Sequence, residues 1–260
     1  MIARELRLAL AAVMFLTRIP VPGWAGHSAT ELARCARYFP LAGLLVGTIA
    51  ALVYLAAALV LPHAVAVALA MIAGVLASGA FHEDGFADVC DGFGGGYTRE
   101  EILRIMSDSR VGAFGAIGIA LLLILRFAAL CAVEPARLAA ALVAGHAASR
   151  FYPVLLMRFL PHARIEGGKS KPFAQGVGNG EMVIAAGLGV LPFFLLFPMR
   201  DWLAFLPPFA ACAWLGWRFK SRIGGHTGDC LGATQQVCEV VLYLSLVALG
   251  GWNSGGWKSS

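Results

Sequence analysis

Charged side chains are scarce in this sequence. Asp, Glu, Lys and Arg make up 13% of its 260 residues, whereas hydrophobic residues make up 59%. Average soluble chains carry about 25% charged residues, so the composition excludes an ordinary soluble domain. Long uncharged runs separate a few short polar segments, as in polytopic helical membrane proteins. We therefore expect an all-α, polytopic integral membrane protein that forms a single membrane-embedded domain over residues 1–260.

Several motifs that would assign a function directly are missing. The six cysteines form no C-x-x-C pair and show no zinc-ligand spacing, so we expect small packing residues or free thiols. There is no Walker A, G-x-S-x-G or H-E-x-x-H motif. The net charge of +5 comes from basic residues scattered in loops between apolar runs. Because these residues form no single patch or known binding motif, we expect no nucleic-acid partner.

Long apolar runs, by contrast, are abundant and predict seven transmembrane helices, with six as the alternative count. The predicted spans are residues 41–61, 64–81, 112–133, 137–158, 182–198, 202–219 and 236–251. Residues 1–24 contain an apolar run that is too short to cross a bilayer. We interpret this segment as a helix in the membrane interface, with Trp24 as an anchor. Gly43, Gly47 and Gly74 suit close helix packing within the bilayer.

The distribution of basic residues predicts the orientation of the chain. With seven spans, the N-terminal arginines and the long loops at 82–111, 159–181 and 219–235 all fall on one side of the membrane. Loops rich in Lys and Arg face the cytoplasm, so every long polar loop is predicted to be cytoplasmic. An ion-coupled transporter is an alternative class of protein. However, the acidic residues lie at a loop boundary, and no inverted repeat is apparent.

One acidic, glycine-rich stretch, residues 81–96, holds four carboxylates within nine positions. Asp84, Asp88 and Asp91 follow an i, i+4, i+7 spacing that places them on one helix face, whereas Glu83 lies about 100° off that face. Carboxylates stacked in this way repel one another, and Mg²⁺ bridging to substrate phosphates would remove the conflict. We predict all four as Mg²⁺ ligands. The alternatives are a solvated acidic helix start and a non-helical loop that gathers the same ligands.

Candidate phosphate ligands lie in the polar segments that follow. A helix capped by Thr98, with Glu101 at its N3 position, is predicted to precede Arg110. Guanidinium groups match phosphate oxygens, so Arg110 and Arg150 are candidate substrate-binding residues. His146 shares a helix face with Arg150. For Arg110 the alternative is an interfacial arginine that only obeys topology.

A second glycine-rich loop, residues 224–234, precedes the last predicted span. Backbone amides around Gly228 are suited to binding anions, and Asp229 is placed to complete a site with the acidic stretch. Lys169, in an intervening loop, adds positive charge that suits a phosphate. The alternative is a solvent-exposed lysine that contributes only to membrane orientation. Arg126 lies nearer the opposite side of the membrane, and we interpret it as structural.

Together these residues indicate transfer of a phosphate-linked group from a diphosphate donor to a hydroxyl acceptor. Mg²⁺ would neutralise the leaving phosphate, and Asp84, Asp88 or His82 would help to deprotonate the acceptor. CDP-alcohol phosphotransferases and membrane prenyltransferases are rival classes that also bind metal through aspartates. The former need an arginine that Asp88-Val89-Cys90-Asp91 lacks. The latter typically carry two aspartate-rich motifs, whereas the second loop offers only Asp229.

The sequence resembles the cobalamin synthase family, the adenosylcobinamide-GDP ribazoletransferases, in five stretches that follow the family's order: residues 15–22, 38–43, 82–92, 105–112 and 228–233. The acidic block H-E-D-G-F-A-D-V-C-D-G is the most specific of them. The resemblance implies a Mg²⁺-dependent catalytic domain in the bacterial inner membrane, with its active site facing the cytoplasm. Its small-molecule substrates would be adenosylcobinamide-GDP and α-ribazole or its 5′-phosphate, and GMP would be released. The oligomeric state is left open.

Overall fold

A computed structural model of the protein describes residues 2–24, 29–163 and 176–253. Helices are the regular elements in these ranges, which confirms the predicted all-α class. In chain order the α-helices are α1 Ile2–Leu16, α2 Ala29–Arg34, α3 Phe39–Ala57, α4 His63–Ser78, α5 Phe81–Gly95, α6 Arg99–Ile105, α7 Ala113–Ala132, α8 Pro135–Ser149, α9 Phe151–Phe159, α10 Asn179–Leu196, α11 Leu206–Ile223 and α12 Gly228–Asn253.

Long apolar helices confirm a multi-pass membrane architecture. Within the described ranges, five segments are long and apolar enough to cross a bilayer: Cys35–Ala57, Ala113–Ala132, Pro135–Phe159, Asn179–Leu196 and Gly228–Gly250. A sixth crossing results if α4 and α5, which meet at 89°, count as one bent span. The predicted number of seven spans is therefore not confirmed.

The predicted span at 202–219 differs from the structure. Its first residues belong to a 3₁₀ turn, Met199–Phe205, and α11 follows that turn. Lys220 and Arg222 lie in the last turn of α11. These charges make α11 more polar than the other long helices, and it is not among the five apolar segments.

The predicted span at 64–81 ends early, at an elbow between α4 and α5. Gly79 and Ala80 both adopt the left-handed conformation, with φ values of 67° and 57°, and α5 leaves α4 at 89°. Glycine tolerates this conformation freely, whereas it costs an alanine about 1–2 kcal/mol. The backbone N–H of Arg18 donates to the carbonyl oxygen of Ala77 at 2.7 Å, next to the bend. Because of this bend, the acidic helix α5 runs nearly perpendicular to α4.

Three of the predicted polar loops meet at one end of the bundle. The Arg99 side chain donates to the carbonyl oxygens of Ile223 and Ala163 at 2.9 and 2.8 Å. Arg222 donates to the carbonyl oxygen of Gly96 at 3.0 Å. These bonds join parts of the 82–111, 159–181 and 219–235 segments, so their predicted grouping on one side agrees with the fold. We call this the polar end.

Short turns meet at the opposite end. The Tyr54 hydroxyl lies 3.1 Å from Nδ1 of His63 and 3.5 Å from the carbonyl oxygen of Pro135. Arg137 forms an ion pair with Asp201. The turns after α3, after α7 and before α11 therefore lie together, away from the acidic stretch.

Glycines bring the central helices close together, as predicted. A Cβ atom added to Gly43 would lie 2.2 Å from the carbonyl oxygen of His146, and one added to Gly47 would lie 2.7 Å from that of Leu142. A Cβ atom on Gly74 would lie 3.5 Å from the His146 ring. Helix α3 therefore packs closely on α8, and α4 approaches the His146 ring of α8.

The N-terminal segment forms a short helix, α1, within the predicted 1–24 segment. Leu8 and Ala12 on one side of α1 are buried, whereas Trp24 is 56% exposed. The Tyr38 hydroxyl donates to the carboxylate of Glu5 at 2.9 Å and ties α1 to the start of α3. One side of α1 therefore packs against the bundle at the polar end.

Candidate active site

The acidic stretch is helical, so the predicted one-face arrangement is formed. Asp84, Asp88 and Asp91 lie on α5, which runs over Phe81–Gly95. Asp84 is exposed and Asp88 half-buried, whereas Glu83 and Asp91 are buried. The four carboxylates thus have three different environments, although they fall within nine consecutive positions.

The second glycine-rich segment packs directly on the acidic helix. Gly228 begins α12, so the predicted loop at 224–234 is helical over most of its length. A Cβ atom on Gly85 would lie only 3.0 Å from the Cα atom of Asp229. A Cβ atom on Gly232 would lie 3.3 Å from the carbonyl oxygen of His82. The two glycines let α5 and α12 touch, and this brings Asp229 next to the acidic face.

Thr227 caps the start of α12. Its hydroxyl accepts from the backbone N–H of Cys230 at 3.3 Å and lies 3.3 Å from the Asp229 carboxylate, to which it donates. His226, one residue earlier, is 1% exposed, and its ring stacks edge-on against His162 at 5.4 Å. Burial, followed by the nearby His162, lowers the pKa of His226 to about 4.

Asp91 joins α5 to α7. One carboxylate oxygen accepts from the backbone N–H of Gly112 at 2.7 Å, and the other accepts from that of Gly115 at 2.8 Å. These donors are the N-cap residue of α7 and a residue of its first turn, where the helix dipole favours an anion. Neither glycine has room for a side chain, because an added Cβ atom would lie 2.4 or 2.3 Å from the Asp91 carboxylate.

Glu83 points into the bundle, where it contacts two other helices. Its Oε1 atom accepts from the side-chain amide of Gln236 on α12 at 2.9 Å and lies 3.7 Å from the guanidinium of Arg126 on α7. Arg126 is 1% exposed, which agrees with its predicted structural role. The Oε1 atom of Glu83 thus lies beside a buried cation, whereas its Oε2 atom is buried without a hydrogen-bond partner.

A buried polar network extends from Glu83 through the bundle, and Glu239 on α12 is its centre. Glu239 lies 2.6 Å from Arg126 and 3.4 Å from Nδ1 of His146. It also accepts from Gln235 at 2.5 Å and from Tyr243 at 3.2 Å. Sequence reasoning missed Glu239, although a carboxylate within a predicted span is a signal, since ionisable groups at membrane depth are costly and need partners.

Arg150 and His82 belong to this interior rather than to the exposed acidic face. Arg150 is 2% exposed and lies 3.2 Å from Nδ1 of His146, as their spacing of four predicts. Its Nε atom is buried without a hydrogen-bond partner. His82 is 5% exposed and its ring packs edge-on against Phe81 at 5.5 Å. Neither side chain lies beside Asp84 on the surface.

Arg110 is exposed on the segment before α7. Its guanidinium grips the Asp108 carboxylate at 2.6 to 3.2 Å, and 87% of its side chain is exposed. The pair lowers the pKa of Asp108 to about 2, so this carboxylate is charged at neutral pH. Lys169 lies within 164–175, outside the described residues.

The acidic face can supply a metal ion with two hard oxygen ligands, Asp84 and Asp88, one helical turn apart. Over residues 2–24, 29–163 and 176–253, no three His, Cys, Asp or Glu side chains converge in the manner of a complete metal site. Mg²⁺ sites commonly use one or two carboxylates and take further oxygens from substrate phosphates and water. The pair therefore fits a Mg²⁺ ion that arrives with a phosphorylated substrate.

Comparison with known proteins covers nearly the whole chain. The profile of a family described as cobalamin-5-phosphate synthase matches residues 8–247. The chain is 48% identical over 248 residues to the adenosylcobinamide-GDP ribazoletransferase of Ralstonia nicotianae, with 94% of each chain covered. It is 43% identical over 251 residues to the protein of the same name from Shewanella frigidimarina, with 95% of this chain and 96% of the relative covered. No solved structure matches.

Proposed function

This chain belongs to the cobalamin-5-phosphate synthase family, and we propose that it is an adenosylcobinamide-GDP ribazoletransferase. It joins adenosylcobinamide-GDP to α-ribazole, or to its 5′-phosphate, and releases GMP. The observation that carries this proposal is the identity of 48% over 94% of both chains. The packing of Asp229 against Gly85 supports it, because it brings two of the segments that resemble the family into contact.

The reaction replaces the phosphoanhydride bond of the donor with a phosphate ester bond to the acceptor. The hydroxyl oxygen of the ribazole attacks the phosphorus nearest to cobinamide, and a new P–O bond forms. The bond between that phosphorus and the bridging oxygen of the diphosphate breaks, so GMP leaves with the bridging oxygen. The hydroxyl proton goes to a base. Catalysis of such transfers depends mainly on positioning and on charge stabilisation.

Asp84 and Asp88 are the residues that we propose for this chemistry. They would hold a Mg²⁺ ion, which, when bound, neutralises charge on the transferring phosphate groups. Asp84 is exposed at the surface of α5, where a water-soluble nucleotide reaches it. An aspartate on this face is also better placed than the buried His82 to accept the hydroxyl proton. Arg110 supplies an exposed guanidinium for donor phosphates.

We place the enzyme in the bacterial inner membrane with its polar end in the cytoplasm. Basic residues such as Arg99, Arg104 and Arg222 lie in segments at that end. Loops enriched in Lys and Arg stay on the cytoplasmic side during insertion. Both substrates then reach the acidic face from the compartment in which nucleotides are available.

The direct test uses the purified protein in liposomes with adenosylcobinamide-GDP and α-ribazole 5′-phosphate, in Mg²⁺ or in EDTA. We expect equal amounts of GMP and of a new corrinoid, in Mg²⁺ only. CDP-alcohol and prenyl-diphosphate donors serve as controls and should give no product. Folded protein that released no GMP would contradict the proposed activity, whereas full activity in EDTA would contradict only the Mg²⁺ dependence.

A further inference from the structure

The carboxylates of α5 divide into two groups according to their surroundings. Glu83 and Asp91 are each 9% exposed, and both contact donors on neighbouring helices. Asp84, between them in sequence, is exposed, and Asp88 is half-buried. Helical spacing alone does not separate the buried Asp91 from Asp84 and Asp88, because all three lie on one helix face.

Both oxygens of Asp91 are used within the protein. They accept from the N–H groups of Gly112 and Gly115 at the N-terminus of α7. The positive end of the helix dipole compensates the carboxylate charge there, so no cation is needed for that purpose. The absence of side chains at both glycines is required, since a Cβ atom at either would lie within 2.4 Å of the carboxylate.

Glu83 is compensated in a different way, by the buried network. Its charge lies 3.7 Å from Arg126, and its Oε1 atom accepts from Gln236 at 2.9 Å. Arg126 is itself held at 2.6 Å by Glu239. Glu83 therefore connects α5 to the centre of the bundle, whereas Asp91 connects α5 to the start of α7.

These two connections matter because α5 is not a straight continuation of α4. The helices meet at 89° through two left-handed residues, Gly79 and Ala80. Rotation of α5 about its own axis must consequently be set by its side contacts. Glu83 and Asp91 lie eight residues apart, about 12 Å along the helix axis, and so restrain α5 near both of its ends.

We propose that Glu83 and Asp91 are positioning residues, which fix the rotation of α5 and keep Asp84 and Asp88 facing the start of α12, and that they are not metal ligands themselves. The activity readouts of this inference rest on the proposed function, but its stability and metal-binding readouts do not. It narrows the predicted set of four carboxylate ligands to two, the exposed Asp84 and the half-buried Asp88.

The test compares five variants with the wild-type protein in detergent: Glu83→Ala, Glu83→Gln, Asp91→Ala, Asp91→Asn and Asp84→Asn. Glu134→Gln is the matched control, because Glu134 is an exposed acid at the opposite end of the bundle. Three quantities are measured: the thermal midpoint in EDTA, Mn²⁺ binding followed by electron paramagnetic resonance, and turnover as a function of Mg²⁺ concentration.

We expect the two alanine variants to lower the midpoint in EDTA by at least about 4 °C, because buried donors lose a charged acceptor. Their kcat should fall by about 10- to 100-fold, with the Mn²⁺ affinity and the half-saturating Mg²⁺ concentration within about threefold of wild type. Asp91→Asn and Glu83→Gln each retain an acceptor oxygen and should recover part of the lost kcat. Asp84→Asn should show the reverse pattern, with an unchanged midpoint and weakened Mn²⁺ binding.

Two results would overturn the inference. One is an Asp91→Ala or Glu83→Ala protein with the wild-type midpoint in EDTA. The other is a loss of Mn²⁺ affinity in Asp91→Asn or Glu83→Gln as large as that in Asp84→Asn. If the wild-type protein made no product at all, the proposed function would fail, and the midpoints and Mn²⁺ affinities would still decide the roles of the two residues.

Discussion

The carboxylate of Glu239 lies 2.6 Å from the guanidinium of Arg126 in the interior of the bundle, and each residue is 1% exposed. Burying two charges in this way is costly unless both find partners. Glu239 is surrounded by further donors from α8 and α12, including Tyr243 at 3.2 Å. The pair links α12 to α7.

Removal of one partner should therefore destabilise the protein strongly. Arg126→Met leaves Glu239 charged and buried, and we expect a loss of about 3–5 kcal/mol in unfolding free energy. A fall of the thermal midpoint in detergent measures this loss. Arg7→Met, which changes an exposed arginine on α1, is the control and should shift the midpoint by no more than about 2 °C. Equal midpoints for the two variants would contradict the importance of the pair.

The carboxylates of Asp84 and Asp88 should matter for turnover rather than for folding. Asp84→Asn and Asp88→Asn each remove the negative charge of one proposed Mg²⁺ ligand, and we expect GMP release to fall at least about 100-fold. The thermal midpoint of Asp84→Asn should stay near that of wild type, because Asp84 is exposed. Wild-type turnover in both variants would show that the metal-dependent chemistry lies elsewhere.

The close contact between α5 and α12 should not tolerate a methyl group. In Gly85→Ala the new Cβ atom would lie 3.0 Å from the Cα atom and 3.1 Å from the carbonyl oxygen of Asp229, so the backbone of α12 has to move. We expect a lower kcat with folded protein. Gly187→Ala on α10 is the matched control, because its Cβ atom meets nothing within 4 Å. That change should leave turnover intact and raise stability by up to about 1 kcal/mol.

Arg110 is predicted to act on the donor. Reversal of its charge in Arg110→Glu should raise the KM for adenosylcobinamide-GDP about tenfold, since a charge-assisted phosphate contact is lost. The midpoint should hardly change, because 87% of the side chain is exposed. Asp108→Asn is the matched variant, and it should leave the KM unchanged or lower it by releasing Arg110 from its ion pair. An unaltered KM in Arg110→Glu would show that this residue does not bind the donor and contributes only to membrane orientation.

His226 should make the polar end sensitive to acid. Its pKa is lowered from 6.5 to about 4 in the folded protein, first by burial and then by His162. Between these two values the unfolded chain binds more protons than the folded one, so stability decreases as the pH falls below about 6.5. The full effect is about 3 kcal/mol. Midpoints at pH 7.5 and 5 cover about 2 kcal/mol of this effect. His226→Gln should reduce the difference between the two midpoints, and an equal difference would assign the acid sensitivity to other groups.

Features that depend on neighbouring residues in the chain follow from the sequence. The capping box of α6 is present as predicted, with Thr98 accepting from the Glu101 N–H at 3.2 Å and Glu101 accepting from the Thr98 N–H at 3.1 Å. The shared face of Asp84, Asp88 and Asp91 is confirmed because it needs only the helical period. The spacing of four between His146 and Arg150 likewise predicts their contact.

Features that depend on distant contacts could not be predicted in this way. The apolar run at 64–81 continues through the elbow without a break, so hydropathy alone did not reveal the left-handed Ala80. The contacts of Asp91 with Gly112 and Gly115 join positions more than twenty residues apart. Nothing in the local sequence around Ala80, Asp91 or the two glycines indicates these features. They became visible only in the three-dimensional structure.

The sequence by itself determined the membrane class, the family and the existence of an acidic helix face, because composition, motif order and the period of 3.6 residues are properties of the chain. Only the tertiary structure decided the surroundings of each carboxylate. The rotation of α5 relative to α7 and α12 is set by Glu83, Asp91 and the glycine contact at Gly85. These interactions join separate helices, and each of them forms only when the helices are packed together.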